Sequence, residues 1–456
     1  MNENIKENKM GIMPVNKLIL SMSVPMMISN LVQALYNIVD SIFVSRIDEK
    51  ALTALSMAFP MQLLIVALGI GTCVGINSCL SKNLGEGRPD KAGDVAKTGV
   101  FLALCSYVIF LIVGLTLVDP FYRFQTDDAE IIKYGHDYLT WICCLSFGMF
   151  AQVTFERILQ SVGMTFEAMI TQLTGAVINM IFDPIMIFGL LGFPKMGVKG
   201  AAIATVFGQT VAAVMALIFN LRKNKQINLS FKGFKPKLSL IGTIYKVGLP
   251  SIIMQSVGSV MNYCMNMILI SFTSTAVAVF GVYYKLQSFV FMPVFGLNNG
   301  LIPIVAYNFG AGNRKRVKKA IKLSALYAIL IMTIGLVIFE VFPGPLFKIF
   351  DASENMLTIG KTALRIIAVH FPVAAVCIVL GSGFQALGNG VYSLITSIAR
   401  QIVVLLPAAY LLSKLGNVNY VWWAFPIAEV MSLIVTIFFF IRINSKVIDN
   451  IPEGND

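Results

Sequence analysis

Twelve stretches of this chain are apolar for long enough to cross a bilayer, and nothing else narrows its fold as much. They run near residues 17–45, 52–81, 93–118, 133–160, 166–191 and 197–221, then near 240–270, 276–308, 317–342, 358–385, 390–413 and 420–443. In hydrocarbon every backbone N–H and C=O must find its partner within the protein, and about 20 apolar residues in a row satisfy that as a helix. The expected class is therefore an all-α membrane protein of twelve transmembrane helices. Composition agrees: 57% of residues are hydrophobic and 13% charged, where soluble domains carry about 25% charged residues. The opening MNENIKENKMGIMP lacks the basic n-region, short apolar stretch and small-residue cleavage site of a secretory signal, so the first span is expected to act as its own insertion signal.

The two sets of six spans are copies of each other. The displacement that carries Pro25 onto Pro250, 225 positions, also carries Asn37 onto Asn262, Gln62 onto Gln287, Gly71 onto Gly296 and Gly75 onto Gly300. It continues without a gap through Asn83/Asn308, Gly85/Gly310, Gly87/Gly312, Pro120/Pro345, Gly135/Gly360, Gln160/Gln385 and Gly163/Gly388. It slips by about two residues only near the end, where Ala201 faces Ala424. Each copy holds an even number of spans, so both point the same way and the pseudo-twofold axis runs along the membrane normal. The expected division is a first lobe, 1–221, a basic linker, 222–239, and a second lobe, 240–456. Two parallel bundles about a central cavity is the architecture of an alternating-access transporter.

The formal charge of +12 could suggest a nucleic-acid partner, but its distribution argues against one. Lys and Arg gather at alternate span ends: Lys82, Arg88, Lys91 and Lys97, then Arg222 to Lys237, then Arg314 to Lys322. The intervening loops are mixed or acidic, as in Asp119, Arg123, Asp127, Asp128, Glu130 and Lys133. That is the positive-inside pattern, and it places both termini on the cytoplasmic side of the cell membrane. The seven cysteines lie in apolar segments without paired metal spacing and read as small packing residues.

Within the first span, Ser29, Gln33, Tyr36, Asn37 and Asp40 fall at helical spacing and form one polar stripe ending in an acid. A carboxylate in a membrane span is costly and marks a functional site whose partner has to be found. The fifth span supplies the partner: Gln172, Gly175, Asn179 and Asp183 again share one face, and Pro184 follows at once. Both spans run outward, so the two acids lie toward the same end of the first bundle. Two carboxylates in one dry niche either share a proton or hold a cation. Asn179, Asn37 and Thr205 offer neutral oxygens suited to Na+, and Gln33 and Tyr36 can hydrogen-bond a protonated acid. The alternative is a polar contact that only fixes helix packing.

The copies differ at these positions. Asp40 faces Met265, Asn179 faces Val404 and Asp183 faces Ala408, so the coupling site is expected in the first lobe alone. The second lobe has its own intramembrane charges. Arg400 and Glu429 are expected to form a structural ion pair, and Lys285, with Asn262 and with Gln172 of the first lobe, is a candidate for the substrate cavity. Pro25 lies deep enough in the first span to let that helix bend. His136 and His370 fall near expected outer ends and suggest packing only. No P-loop precedes a Lys-Ser or Lys-Thr pair, and no nucleophile and base meet in a recognisable arrangement, which argues against an ATP-driven pump and against an enzyme.

Taken together, NLGEG and its copy NFGAG, LQSVG and FQALG, NMIFDP, GVKGAAIAT, and the long run YKLQSFVFMPVFGLNNGLIPIVAYNFGAGN resemble the multidrug and toxic compound extrusion (MATE) transporters, in particular their MepA-like bacterial branch. The resemblance covers nearly the whole chain. It implies a V-shaped pair of six-helix lobes that exports amphipathic, often cationic drugs in exchange for inward H+ or Na+, with no cofactor, and working as a monomer. It also implies ion coupling at Asp40, Asn179 and Asp183, with Gln33, Tyr36 and Thr205 as neighbours. The NorM-like branch carries acids in the seventh and tenth spans, where this chain has Asn262, Asn266 and His370. A lipid-linked oligosaccharide flippase of the wider superfamily is the alternative; it calls for a more cationic cavity than the acidic first lobe offers.

Overall fold

The computed structural model describes residues 8–47, 49–350 and 352–451, all helical or in turns and short connections. The outermost residues of both expected cytoplasmic termini lie outside these described residues. Among the described residues ten helices are long and apolar enough to span a membrane, and the total is twelve when each of two bent helix pairs is counted as one span. This is an all-α, multi-pass membrane protein.

Contacts divide the chain into two compact units. One comprises Ile28–Gly248 with the chain up to Asn8; the other comprises Lys9–Met27 with Leu249–Asp456. The division thus differs from the lobes drawn on sequence, because each unit takes in the first half of a span from the other repeat. Steric detail explains it. A Cβ on Gly75 would lie 2.1 Å from the Ile244 carbonyl oxygen, and one on the equivalent Gly300 would lie 2.5 Å from Ser23 Oγ. Only glycine lets backbone approach that closely.

The first unit contains most of α2 (Val15–Ser45), then α3 (Glu49–Gly85), α4 (Pro89–Thr116), α5 (Val118–Gln125), α6 (Ala129–Cys144), α7 (Phe147–Ser161), α8 (Thr165–Phe188), α9 (Val198–Arg222) and the start of α10 (Leu238–Ile270). The second contains α1 (Lys9–Ile12), the start of α2, the rest of α10, α11 (Ser274–Gly310), α12 (Arg314–Val341), α13 (Pro343–Lys348), α14 (Glu354–Ala368) and α15 (Phe371–Ala386). It ends with α16 (Gly390–Ile398), a π-helical turn (Ala399–Leu405), α17 (Leu406–Ser413), α18 (Val418–Val421), α19 (Ala424–Ile443) and a second π turn (Asn444–Ile448).

The repeat persists in local detail. Asp128 caps α6 by accepting from Glu130 N and Ile131 N, and its counterpart Ser353 caps α14 by accepting from Met356 N, which satisfies amides that the first helical turn leaves unpaired. The rings of Tyr122 and its counterpart Phe347 cover Gly135 and Gly360.

Two expected spans are broken. α6 and α7 meet at a 43° bend and α14 and α15 at 49°, around Leu145 and His370, which are equivalent positions. Pro372 lacks an amide hydrogen and suits the start of α15. The first copy has Phe147 in its place, and there Ser146 Oγ donates to Cys143 O at 2.8 Å to close the bend. His370 is therefore not near an outer end, as its position in the sequence suggested. It sits buried at the mid-span break, with its ring stacked on Phe425 at 6.2 Å.

Candidate functional site

The site in the first unit is held by α2, α8 and α9. α8 and α9 approach backbone to backbone, because a Cβ on Gly208 would lie 2.6 Å from Gly175 O and 3.2 Å from Asn179 Cβ. That closeness presents Asn179 and Asp183 to Thr205. Asp183 is fully buried and Asn179 nearly so, and both lie inside α8 rather than at its end. Pro184, which has no N–H, leaves the Met180 carbonyl without its i+4 donor next to the acid.

Asp40, half-buried on α2, lies close enough to Asp183 for the two carboxyls to interact. Two carboxyls this close in a water-poor niche repel when both are ionised, which a shared proton or a cation between them relieves. The Oδ1 atoms of both acids are buried and have no partner among the described residues. Its neighbours assign the Asn179 amide the orientation in which Nδ2 donates to Asp183 Oδ2 at 2.8 Å while Oδ1 accepts from Thr205 N at 2.9 Å and from Thr205 Oγ1 at 3.1 Å. The opposite orientation would set its oxygen against the carboxylate. Tyr36 lies beside Thr205 and close to both acids.

Gln33 is half-buried on the same helix, whereas Asn37 lies on its exposed side and Gln172 is half-buried farther back along α8. Two residues of the site were not singled out from sequence. Tyr138 of α6 lies within electrostatic reach of Asp40, Tyr36 and Asp183, and it accepts from Gln62 Nε2 at 2.8 Å. Gln62 served only as a marker of the repeat, and Tyr138 stands among other aromatic residues with no polar stripe to flag it.

In the second unit, Arg400 Nη1 and Glu429 Oε2 are 3.4 Å apart. Asn262 accepts from Asn266 Nδ2 at 3.3 Å and lies beside Tyr284. Lys285 is exposed, with its Nζ 5.9 Å from the Phe350 ring centroid. Among the described residues no three His, Cys, Asp or Glu side chains converge as a metal cluster.

The MatE family model matches twice, over residues 25–185 and 250–411. The chain belongs to the MatE family. It is a membrane transporter and not an enzyme. Among curated proteins, this MatE chain is 25% identical over 423 residues to the multidrug export protein MepA of Staphylococcus haemolyticus, covering 92% of each. It is 24% identical over 418 residues to an FAD transporter of Shewanella oneidensis, again covering 92% of each. Among solved structures, an outward-facing multidrug resistance MATE transporter of the MOP superfamily superposes with a TM-score of 0.92 at 25% identity, over 97% of this chain and 99% of that one.

Proposed function

We propose that this chain is a cation-coupled antiporter that exports amphipathic, often cationic organic compounds by alternating access, with Asp40 and Asp183 as the coupling pair. The close approach of these two acids from separate membrane-spanning helices carries the reading. An ion pair or a capping contact would explain one acid in a span; two acids on separate helices with no basic partner among the described residues call for a small positive species.

One feature favours a proton over Na+. With its amide assigned to satisfy its neighbours, Asn179 turns an N–H toward Asp183 and spends its oxygen on Thr205, so the neutral oxygen that a hard cation would need is already engaged. In this mechanism a proton entering from outside neutralises the pair, which weakens the hold on a cationic substrate, and substrate in turn weakens proton binding. Each charge moved across the membrane contributes about 2.3 kcal/mol per 100 mV. The positive-inside pattern supports cytoplasmic termini in the cell membrane, and the complete site within one unit supports a functional monomer.

The experiment is ethidium efflux in membrane vesicles, with pH and Na+ gradients varied independently. Wild type should follow the proton gradient, and Asp40→Asn should lose gradient-driven efflux. Efflux by Asp40→Asn at wild-type rates overturns the reading. The likeness to an FAD transporter supports a second reading, export of a dinucleotide anion. It predicts that FAD rather than ethidium raises the thermal stability of the purified protein, while a lipid-linked pyrophosphate would do so for a flippase.

A further inference from the structure

A cavity of about 220 Å³ lies wholly within the second unit, apart from the acid pair. Its walls are largely aromatic: Tyr283 and Phe291 of α11, His370 at the break before α15, and Phe425 of α19. Tyr283 meets Phe425 edge to face at 5.8 Å. Arg400 and Glu429 complete the lining.

The ion pair here does not look like one that exists only to satisfy itself. It rests on a single 3.4 Å contact, where a charge-assisted pair closes to about 2.7–2.9 Å and an Arg–carboxylate pair is commonly two-pronged. Glu429 is buried, its side chain 4% exposed, yet its Oε1 has no partner among the described residues. The Arg400 side chain is 27% exposed, and its other N–H groups have no protein acceptor among the described residues. The Tyr283 hydroxyl is likewise buried without a partner. Leaving such groups unpaired is costly, and here they converge on one aromatic cavity.

The backbone carrying Arg400 departs from its repeat counterpart as well. Ala399–Leu405 is π-helical, whereas the equivalent turn around Gly175 belongs to the regular helix α8. Turns of this kind recur at functional sites because they re-aim side chains.

We propose that this cavity is a binding site for a planar aromatic carboxylate of one or two rings that also carries an N–H or O–H donor. The carboxylate takes the unspent N–H groups of Arg400, the donor meets Glu429 Oε1, and the ring lies among Tyr283, Phe291, His370 and Phe425. The size agrees, since a cavity of about 150 Å³ accommodates benzene, and aromatic walls with a few convergent polar groups are the usual make-up of a small-molecule site. A fork-shaped donor suits a carboxylate better than an ammonium does. The proposal does not depend on how the first unit couples to ions.

The test is calorimetric titration of the purified full-length protein with kynurenate, a planar two-ring carboxylate with a neighbouring N–H. Saturable one-to-one binding is expected, with at least tenfold weaker binding by Arg400→Lys and none by Arg400→Gln. The methyl ester of kynurenate should not compete. Arg400→Lys keeps a positive charge beside Glu429, so it serves if Arg400→Gln does not fold. Absence of saturable binding to wild type, equal affinity for Arg400→Lys, or equal competition by the ester would each overturn the proposal.

Discussion

Asp40 of α2 and Asp183 of α8 lie within interaction distance of each other inside the membrane-spanning part of the first unit. Neither has a basic partner there among the described residues. Asp183 instead takes an amide N–H from Asn179, which is itself tied to the Thr205 backbone and hydroxyl. The pair is thus set by three helices, and its chemistry depends on their spacing.

If the acids act as one unit, their substitutions will not add. Asp40→Asn and Asp183→Asn should each lower gradient-driven efflux by at least tenfold, and the double variant should lose little more than either alone. Independent, multiplicative losses in the same vesicle assay would mean that the carboxyls work separately.

Gly208 sets the α8–α9 spacing. An added methyl group at 2.6 Å from Gly175 O must push the helices apart, so Gly208→Ala should cost about 1–3 kcal/mol and lower the melting temperature of the detergent-purified protein. The shift also moves Asn179 away from Thr205, so transport should fall further than the loss of folded protein explains.

Gly135 and Gly360 test the repeat. A Cβ at Gly135 would lie 2.1 Å from the Tyr122 ring, and one at Gly360 would lie 2.4 Å from that of Phe347. Both rings are fully buried and have nowhere to turn. Gly135→Ala and Gly360→Ala should therefore destabilise by similar amounts, on the order of 1–3 kcal/mol; a cost in only one copy would show that the two contacts are not equivalent.

Outside the spans, Asp449 accepts from Arg314 Nη2 and Lys318 Nζ, each at 2.7 Å, and from Asn444 Nδ2 at 2.9 Å. The hydrogen bond from Lys318, then the nearby charges of Lys318 and Arg314, hold its carboxyl below the ordinary carboxylate range. A lowered folded-state pKa stabilises fully above the ordinary value of about 4 and is lost as pH falls through the lowered one. Asp449→Asn should melt slightly below wild type at neutral pH, and the gap should narrow as the pH is taken below the ordinary carboxylate value of about 4.

The chain's own order of residues determined a great deal. Twelve apolar runs required helices, because a backbone in hydrocarbon has no other way to pair its polar groups. The constant displacement from Pro25 to Pro250 revealed two copies, and helical spacing put Asp40 on one face and Asn179 with Asp183 on another. What remained open was everything set by contacts between segments distant along the chain. Only the tertiary structure grouped Lys9–Met27 with the second repeat and the start of α10 with the first, since Gly75 and Gly300 admit backbone that no pattern within either span announces. It alone turned Asn37 outward, brought Tyr138 and Gln62 toward the acids, and broke the fourth span at Leu145 without a proline. Periodicity reports which residues share a side of one helix; which helix that side meets is decided by close packing across the fold.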